Sequence, residues 1–300
     1  MTIRQKLLSL ILLASAFPLL AEENKAINSD NDRFVTVGDL HFSLALGVGE
    51  KTNPLKGGDD IPLYVVPSLR YYGENFYFDN GDLGYTFLDK GNIAVSILGH
   101  VNNENAHFSR WHPKNVFVFD AAGDSSINTT PEFDTGKDEE NTSTEITIQD
   151  IRKRKWAIDA GVQINWFANE SLSLTAQLLH DVNSVYQGFN GKLEAFYQPE
   201  ITWSDNIVIQ ATAGIDWASE EMVDYYYGID SSDTPNKASF FEGKSSINPY
   251  AKLFAAYKID NHWKVFFSVN YKSLSNNITN SPIVEDDDIV TSFIGASYVF

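Results

Sequence analysis

Apolar and polar residues alternate along much of this chain. From Trp156 to Phe167 the sequence reads WAIDAGVQINWF, in which every second residue from Trp156 to Trp166 is apolar and the residues between are mostly polar or small. A period of two is that of a β-strand with one apolar face. Residues 207–217 and 262–272 repeat the pattern. The chain is therefore predicted to be built from strands.

The length of these segments indicates whether the apolar face of each strand contacts a protein core or lipid. They run for about nine to twelve residues, whereas the strands of soluble proteins average about five or six. A tilted strand that crosses a bilayer needs about 9–11 residues, and aromatic side chains gather at its ends. The Trp residues at both tips of segment 156–167 follow this rule. The pattern favours an antiparallel transmembrane β-barrel over a secreted β-sandwich.

The same test predicts an all-β barrel of ten to twelve strands, depending on two short segments between residues 75 and 88. The predicted strands are 40–50, 63–72, 75–79, 83–88, 93–101, 156–167, 172–180, 186–198, 207–217, 248–258, 262–273 and 289–300. Some apolar residues break the alternation: Leu98, Leu179, Phe196, Phe254, Phe266, Phe293 and Val299.

The connections between strands differ in length. Those at 51–62, 102–155, 219–247 and 274–288 are long and polar, whereas others, such as 168–171, are short. Outer-membrane barrels have short periplasmic turns and long external loops. We therefore expect the long connections, including 102–155, to lie outside the cell. An even number of strands places both chain ends on the periplasmic side.

The N-terminal residues have the pattern of an export signal. Arg4 and Lys6 precede a short apolar run at residues 7–17, and Ala21 precedes two glutamates. This is the order of a secretory signal peptide, and the apolar run is too short for a spanning helix. Cleavage is expected after Ala21, with Ala16 as a second option. The predicted divisions are a signal peptide at 1–21, a periplasmic segment at 22–39 and a barrel at 40–300.

Composition excludes several functions. The 22 basic and 40 acidic residues give a net charge of −18, which argues against a nucleic-acid partner because phosphate binding needs a basic face. The absence of cysteine excludes disulfides, thiolate metal ligands and a thiol nucleophile. No cofactor is expected.

Residues with catalytic potential do not form a known constellation. His180 and Asp181 are adjacent, so on a strand their side chains point to opposite faces. His107 and His112 share a loop with no evident third metal ligand, and the acids at 285–288 lack the spacing of a calcium-binding loop. An enzyme remains a rival class, but the sequence predicts a protein without catalytic or metal-binding residues.

Three polar or aromatic clusters have two interpretations each. Residues 120–150 hold nine acids and one base, which predicts either a solvated external loop or a site for divalent cations or lipopolysaccharide. Arg152, Lys153, Arg154 and Lys155 follow, and they either open a strand or contact the phosphates of outer-membrane lipid. Tyr225, Tyr226 and Tyr227 form either an interfacial girdle or a contact surface for a protein partner.

The chain ends on an apolar, alternating pattern, GASYVF, in which Ala296, Tyr298 and Phe300 share a face. A barrel has no free edge, so its last strand must pair with its first. The ending also resembles the C-terminal signal that the outer-membrane assembly machinery reads, with Gly295, Tyr298 and Phe300 as its elements.

Several stretches resemble the MipA/OmpV family of Gram-negative outer-membrane proteins. They are NFYFDNGDLGYTFL at 75–88, WAIDAG at 156–161, DVNSVYQGF at 181–189, DYYYGI at 224–229, Ser281-Pro282 and the terminal GASYVF. The resemblance implies an outer-membrane barrel. For the founding member it also implies a scaffold that links a lytic transglycosylase to a penicillin-binding murein synthase.

The expected function is therefore a non-enzymatic one in organising murein enzymes at the envelope. The alternative is a small diffusion channel, or an osmotic-response or adhesion protein. Charged residues predicted to face the lumen can pair and plug it or line a narrow water path, and the sequence leaves both open. They are Asp159, Lys192, Glu194, Asp216, Lys252, Lys264 and Lys272.

Overall fold

The alternating segments form a closed wall of strands. The computed structural model describes residues 37–116, 127–128 and 146–300. Within these residues, twelve antiparallel strands close a barrel, because the first strand pairs with both the second and the last. The predicted signal peptide, the predicted N-terminal segment as far as residue 36 and most of the acidic segment 120–150 lie outside the described residues.

The strands follow one another around the barrel in chain order. They are β1 (Leu40–Lys51), β2 (Ile61–Tyr72), β3 (Phe76–Asp79), β4 (Asp82–Lys90), β5 (Ile93–Val101), β6 (Ile127–Asn128), β7 (Ile158–Phe167), β8 (Leu172–Asp181), β9 (Phe189–Tyr197), β10 (Ile207–Ala218), β11 (Ser246–Lys258), β12 (Trp263–Ser273) and β13 (Asp288–Val299). The two-residue β6 is not part of the twelve, since it pairs only with β2, beyond the end of β3.

The short hairpin β3–β4 settles the strand count. Asp79 pairs with Asp82, so Asn80 and Gly81 form a two-residue loop, and both have positive φ angles, 47° and 106°. This is the Asn-Gly turn whose twist matches that of the flanking strands. Both segments that were doubtful in the sequence are therefore strands. The predicted antiparallel barrel is confirmed, at the upper limit of ten to twelve strands.

The helices lie in connections between strands. Two form 3₁₀ turns, Asn103–His107 and Lys237–Ser239, and three are α-helices, Pro113–Val116, Glu220–Tyr227 and Asn276–Thr279. None of the helices in the described ranges has the length and apolar character needed to cross a bilayer.

The residues that break the alternation fill the inside of the wall. Phe254, Phe266 and Phe293 point inward from three neighbouring strands, with ring centroids 5.4 and 5.3 Å apart. Gly47 and Gly295 make room for the last ring, because a Cβ at either position would lie 2.7 or 2.6 Å from it. An apolar row inside the barrel therefore explains why β11, β12 and β13 are apolar on both faces.

The two ends of the barrel differ in their connections. The short-turn end carries residues 73–75, 91–92, 168–171, 198–206 and 259–262, together with Phe300. The long-loop end carries residues 52–60, 80–81, 102–157, 182–188, 219–245 and 274–287. The chain enters β1 and leaves β13 at the short-turn end.

Candidate functional site

Five connections at the long-loop end pack together over the lumen into an apolar cluster, which we call the loop cap. Its centre is the helix Glu220–Tyr227, whose Tyr226 and Tyr227 are 0% and 1% exposed. The buried members of the cap are Leu55, Ile151, Ala157, Tyr186, Ala218, Met222, Val223, Tyr226, Tyr227, Ile229, Leu274, Ile278, Ile283, Val284 and Ile289. Burial of these apolar side chains stabilises the packing of connections whose sequences are mainly polar.

The predicted tyrosine cluster lies inside this cap. Tyr227 donates to Glu104, which belongs to the connection after β5, and burial raises the pKa of the Tyr227 hydroxyl. The Tyr225 hydroxyl accepts a bond from the Lys155 backbone N–H at 2.7 Å. The buried Tyr226 and Tyr227 therefore serve as core residues of the cap and present no surface to a lipid girdle or a partner.

The basic run 152–155 contributes one of the buried contacts of the cap. Arg154 Nη2 donates to the Gly228 carbonyl at 2.8 Å, at the C-terminal end of the helix, where carbonyls lack helical partners. Its Nη1 lies 3.1 Å from Asp233 Oδ1. Burial lowers the pKa of the Arg154 guanidinium, and Asp233 opposes that shift. Arg154 thus fixes the helix to the connection that precedes β7.

The other three basic residues are exposed. Arg152 contacts Ser232, and its Nη2 lies 3.6 Å from Asp230 Oδ2. Lys153 and Lys155 are exposed at the surface of the cap. The structure thus gives Arg152 and Arg154 protein partners, and lipid-phosphate contact stays a prediction for Lys153 and Lys155.

A buried carboxylate joins the cap to the wall. Asn102 Nδ2 and Asn190 Nδ2 donate to Asp159 Oδ2 at 2.6 and 2.7 Å. The Tyr186 hydroxyl donates to Asp159 Oδ1 at 2.7 Å, and burial, with the nearby Asp159 charge, raises the pKa of that hydroxyl. Asp159 is fully buried, so these bonds replace the water that its charge would otherwise require.

A second carboxylate shapes the connection that brings Tyr186 to this point. Asp181 Oδ2 accepts bonds from the backbone N–H groups of Tyr186 and Gln187 at 2.7 and 2.9 Å. The neighbouring His180 has different partners, because its Nδ1 lies 2.7 Å from the Gly188 carbonyl and its ring stacks near Phe189. His180 and Asp181 therefore do not form a catalytic pair.

The lumen beneath the cap encloses a cavity of about 250 Å³ lined mainly by polar side chains. Lys272 Nζ lies 2.5 Å from Asp216 Oδ2, and Lys252 Nζ lies 3.5 Å from Glu194 Oε2. The same glutamate accepts a bond from the Tyr250 hydroxyl at 2.6 Å. Four of the charges predicted to face the lumen are therefore paired, each pair reaching across one intervening strand of the wall.

Part of the long connection 102–157 folds into this lumen. Lys51 Nζ, at the end of β1, donates to Asn115 Oδ1 at 2.7 Å. His107 and His112 are buried in the same segment, and burial lowers the pKa of both, that of His112 to about 3. His112 Nδ1 accepts a bond from the Lys114 backbone N–H at 3.1 Å. Within the described ranges, no group of three metal-ligating side chains comes together.

The seam between β13 and β1 carries the terminal residues on its outer face. The Phe300 ring lies 5.1 Å from that of Phe42 and 4.9 Å from that of Tyr298. The Phe300 N–H donates to the Phe42 carbonyl at 3.0 Å. Gly295 faces the lumen against Phe293, so its packing accounts for a glycine there. The last strand closes the barrel, and recognition of its end by the assembly machinery stays a prediction.

Sequence reasoning missed the loop cap and the contacts of Arg154. A signal was present, since Val185, Tyr186, Ile278 and Ile283 are large apolar residues inside connections, where solvated loops rarely place them. Each connection supplies only a few such residues, so none shows a period.

Comparisons with known proteins place the chain in a family. A family model described as "MltA-interacting protein MipA" matches residues 44–300. The MltA-interacting protein of Escherichia coli (strain K12) is 24% identical over 260 residues, which cover 86% of this chain and 90% of that protein. Outer membrane protein Omp26La of Vibrio anguillarum is 27% identical over 141 residues, 46% of this chain and 52% of that protein.

Among solved structures, the translocator domain of the autotransporter NalP from Neisseria meningitidis covers 90% of both chains, at 14% sequence identity and a TM-score of 0.38. The family model spans most of the barrel, and the relatives are outer-membrane proteins, so the predicted family and location are confirmed. The chain belongs to the MltA-interacting protein (MipA) family and is a β-barrel protein of the Gram-negative outer membrane.

Proposed function

We propose that this chain is a non-enzymatic scaffold that organises murein-synthesising and murein-hydrolysing enzymes at the outer membrane. Its partners in this proposal are a lytic transglycosylase and a penicillin-binding murein synthase. The observation that carries the proposal is the loop cap, which covers the long-loop end of a lumen in which four charged side chains are paired. A covered lumen favours a protein that acts through its surface. The name of the Escherichia coli relative, an MltA-interacting protein, supports a protein partner of this kind.

The contacts within the lumen favour a scaffold over the small diffusion channel. Opposite charges that pair with each other, such as Lys272 and Asp216, neutralise side chains that would otherwise line a water path. The loop cap adds an apolar layer at the long-loop end. Asp181, the carboxylate next to His180, accepts bonds from backbone N–H groups, which favours a non-enzymatic role.

The proposal has two further partners. Outer-membrane lipid or lipopolysaccharide would meet the exposed Lys153 and Lys155, whose ammonium groups suit phosphate. The outer-membrane assembly machinery would read the end of the chain, from Gly295 through Tyr298 to Phe300.

Affinity capture tests the scaffold role. The barrel, solubilised in detergent and immobilised, is incubated with purified lytic transglycosylase or murein synthase, beside a control barrel from another family. We expect both enzymes to be retained above the control. Retention of neither enzyme would refute the scaffold, and a reproducible open conductance level in a planar bilayer would favour the channel instead.

A further inference from the structure

One connection at the short-turn end is longer than the others. Residues 198–206 form a nine-residue turn between β9 and β10, whereas the other turns at this end have two to four residues. Its sequence is QPEITWSDN. The turn is therefore the largest described protrusion on the side of the barrel where β1 begins and β13 ends.

The turn exposes a tryptophan. Trp203 is 74% exposed, the highest value among the large apolar side chains in the described residues, and it makes no aromatic contact within that part of the chain. By contrast, Trp263 at the same end is 42% exposed, and its ring lies 5.0 Å from that of Tyr298 on the outer wall. Trp263 thus has the packing of a wall residue, and Trp203 does not.

The turns around Trp203 are acidic, and the lysines nearest to them, Lys258 and Lys264, belong to the adjoining ends of β11 and β12. Glu200 and Asp205 flank Trp203 within the turn. The turns before and after it at this end, 168–171 and 259–262, add Glu170 and Asp260, and the three turns contain no lysine or arginine. Carboxylates next to an indole disfavour its insertion among anionic lipid headgroups, and they suit a basic protein surface.

We propose that turn 198–206 is the docking site for the lytic transglycosylase, which receives the Trp203 indole in an apolar pocket bordered by lysine and arginine. This rests on the proposed scaffold function. Tryptophan is the residue type most often found at the energetic centre of protein interfaces, and charges at the rim steer association. A single protruding turn also explains how a barrel with otherwise short turns holds a partner.

The test compares two tryptophans at the same end. Wild-type barrel, Trp203→Ala and Trp263→Ala are titrated with purified lytic transglycosylase in detergent. We expect Trp203→Ala to raise the Kd at least tenfold and Trp263→Ala to change it less than threefold. Because Trp203 is 74% exposed, its variant should keep heat-modifiable migration on a gel, which confirms that it folds.

A charge-reversed variant tests the rim. Glu200→Lys/Asp205→Lys should weaken binding severalfold at low salt, and the difference from wild type should shrink as salt screens the charges. Wild-type binding by Trp203→Ala, or equal losses in both tryptophan variants, would overturn the proposal while leaving the scaffold intact. Failure of the wild-type barrel to bind either the transglycosylase or the murein synthase would instead refute the scaffold function itself.

Discussion

The two ends of this barrel differ in how they use aromatic residues, since the long-loop end buries several in a core of its own, although others there, such as Trp111, are exposed. At the long-loop end, Tyr226 and Tyr227 are buried in the loop cap. At the short-turn end, Trp203 and Phe300 are 74% and 69% exposed. Long connections can fold back and cover their own apolar residues, whereas short turns have no chain with which to do so. Aromatic residues at the short-turn end must therefore face lipid, a partner or water.

This difference separates residues needed for stability from residues available for recognition. Replacing a cap residue removes many contacts at once, because five connections meet there. Replacing an exposed aromatic residue at the short-turn end removes few contacts within the chain. If such a replacement strongly reduces assembly or binding, the lost interaction must be with a molecule other than the barrel itself.

Replacing Phe300 should reduce assembly far more than its contacts explain. Phe300→Asp is expected to lower the amount of heat-modifiable barrel in the outer membrane severalfold or more. Within the chain, the Phe300 ring stacks on Phe42 and meets Tyr298 edge-on, and aromatic pairs contribute only about 0.5–1.5 kcal/mol each. A severalfold loss would therefore indicate recognition of the chain end during assembly.

Phe42→Asp is the matched control, because it removes the Phe42–Phe300 stack and places a charge on the same part of the outer wall. We expect this variant to assemble at near wild-type levels. Equal losses in both variants would attribute the effect to a charge at the membrane surface, and normal assembly of Phe300→Asp would refute the signal.

Truncating the centre of the loop cap should destabilise the folded barrel. Tyr226→Ala leaves a cavity among buried residues, for which large aromatic-to-alanine changes cost about 3–5 kcal/mol. The temperature at which the folded gel band converts to the unfolded one should fall clearly. Tyr257→Ala, at the short-turn end and 49% exposed on the outer wall, is the control and should shift it little. Similar shifts in both variants would contradict the contrast between the two ends.

The same contrast explains what the sequence could predict. The strands were predictable because alternation is local, and most predicted strands agree with the structure within about three residues. The segment predicted as strand 186–198 begins instead at Phe189, because Asp181 draws the preceding backbone into a tight connection. A side chain that accepts hydrogen bonds from nearby backbone N–H groups prevents those groups from pairing with the next strand. The apolar–polar alternation of the sequence does not show this.

The loop cap could not be predicted in the same way. Its members Leu55, Ile151, Met222 and Ile283 come from four connections, and only the folded wall brings those connections together. The role of Arg154 depends on a helix more than 60 residues later in the chain, so the basic run 152–155 alone left a strand opening and a lipid contact equally open. Contacts between distant loops leave no periodic signal in one sequence.

Acidification should weaken the long-loop end, which is the smallest effect expected here. The pKa values of His107 and His112 are lowered by burial, so the folded barrel holds both rings neutral, while the unfolded chain takes up protons below about pH 6.5. Their stabilising contribution is therefore complete above pH 6.5 and is lost as the pH falls towards the folded values. For His112, with a folded pKa of about 3, the loss at pH 5 is about 1–2 kcal/mol.

His112→Asn isolates this contribution from that of the many carboxylates. Asparagine offers an oxygen to the Lys114 backbone N–H but does not titrate, so the variant should lose less stability than wild type between pH 7 and pH 5. The measurement is the conversion temperature of the folded gel band at each pH. His262→Gln, at the exposed short-turn end, should keep the wild-type dependence. If His112→Asn and His262→Gln respond alike, the buried histidine does not set the pH response, because only a ring shielded from water resists protonation in the folded state.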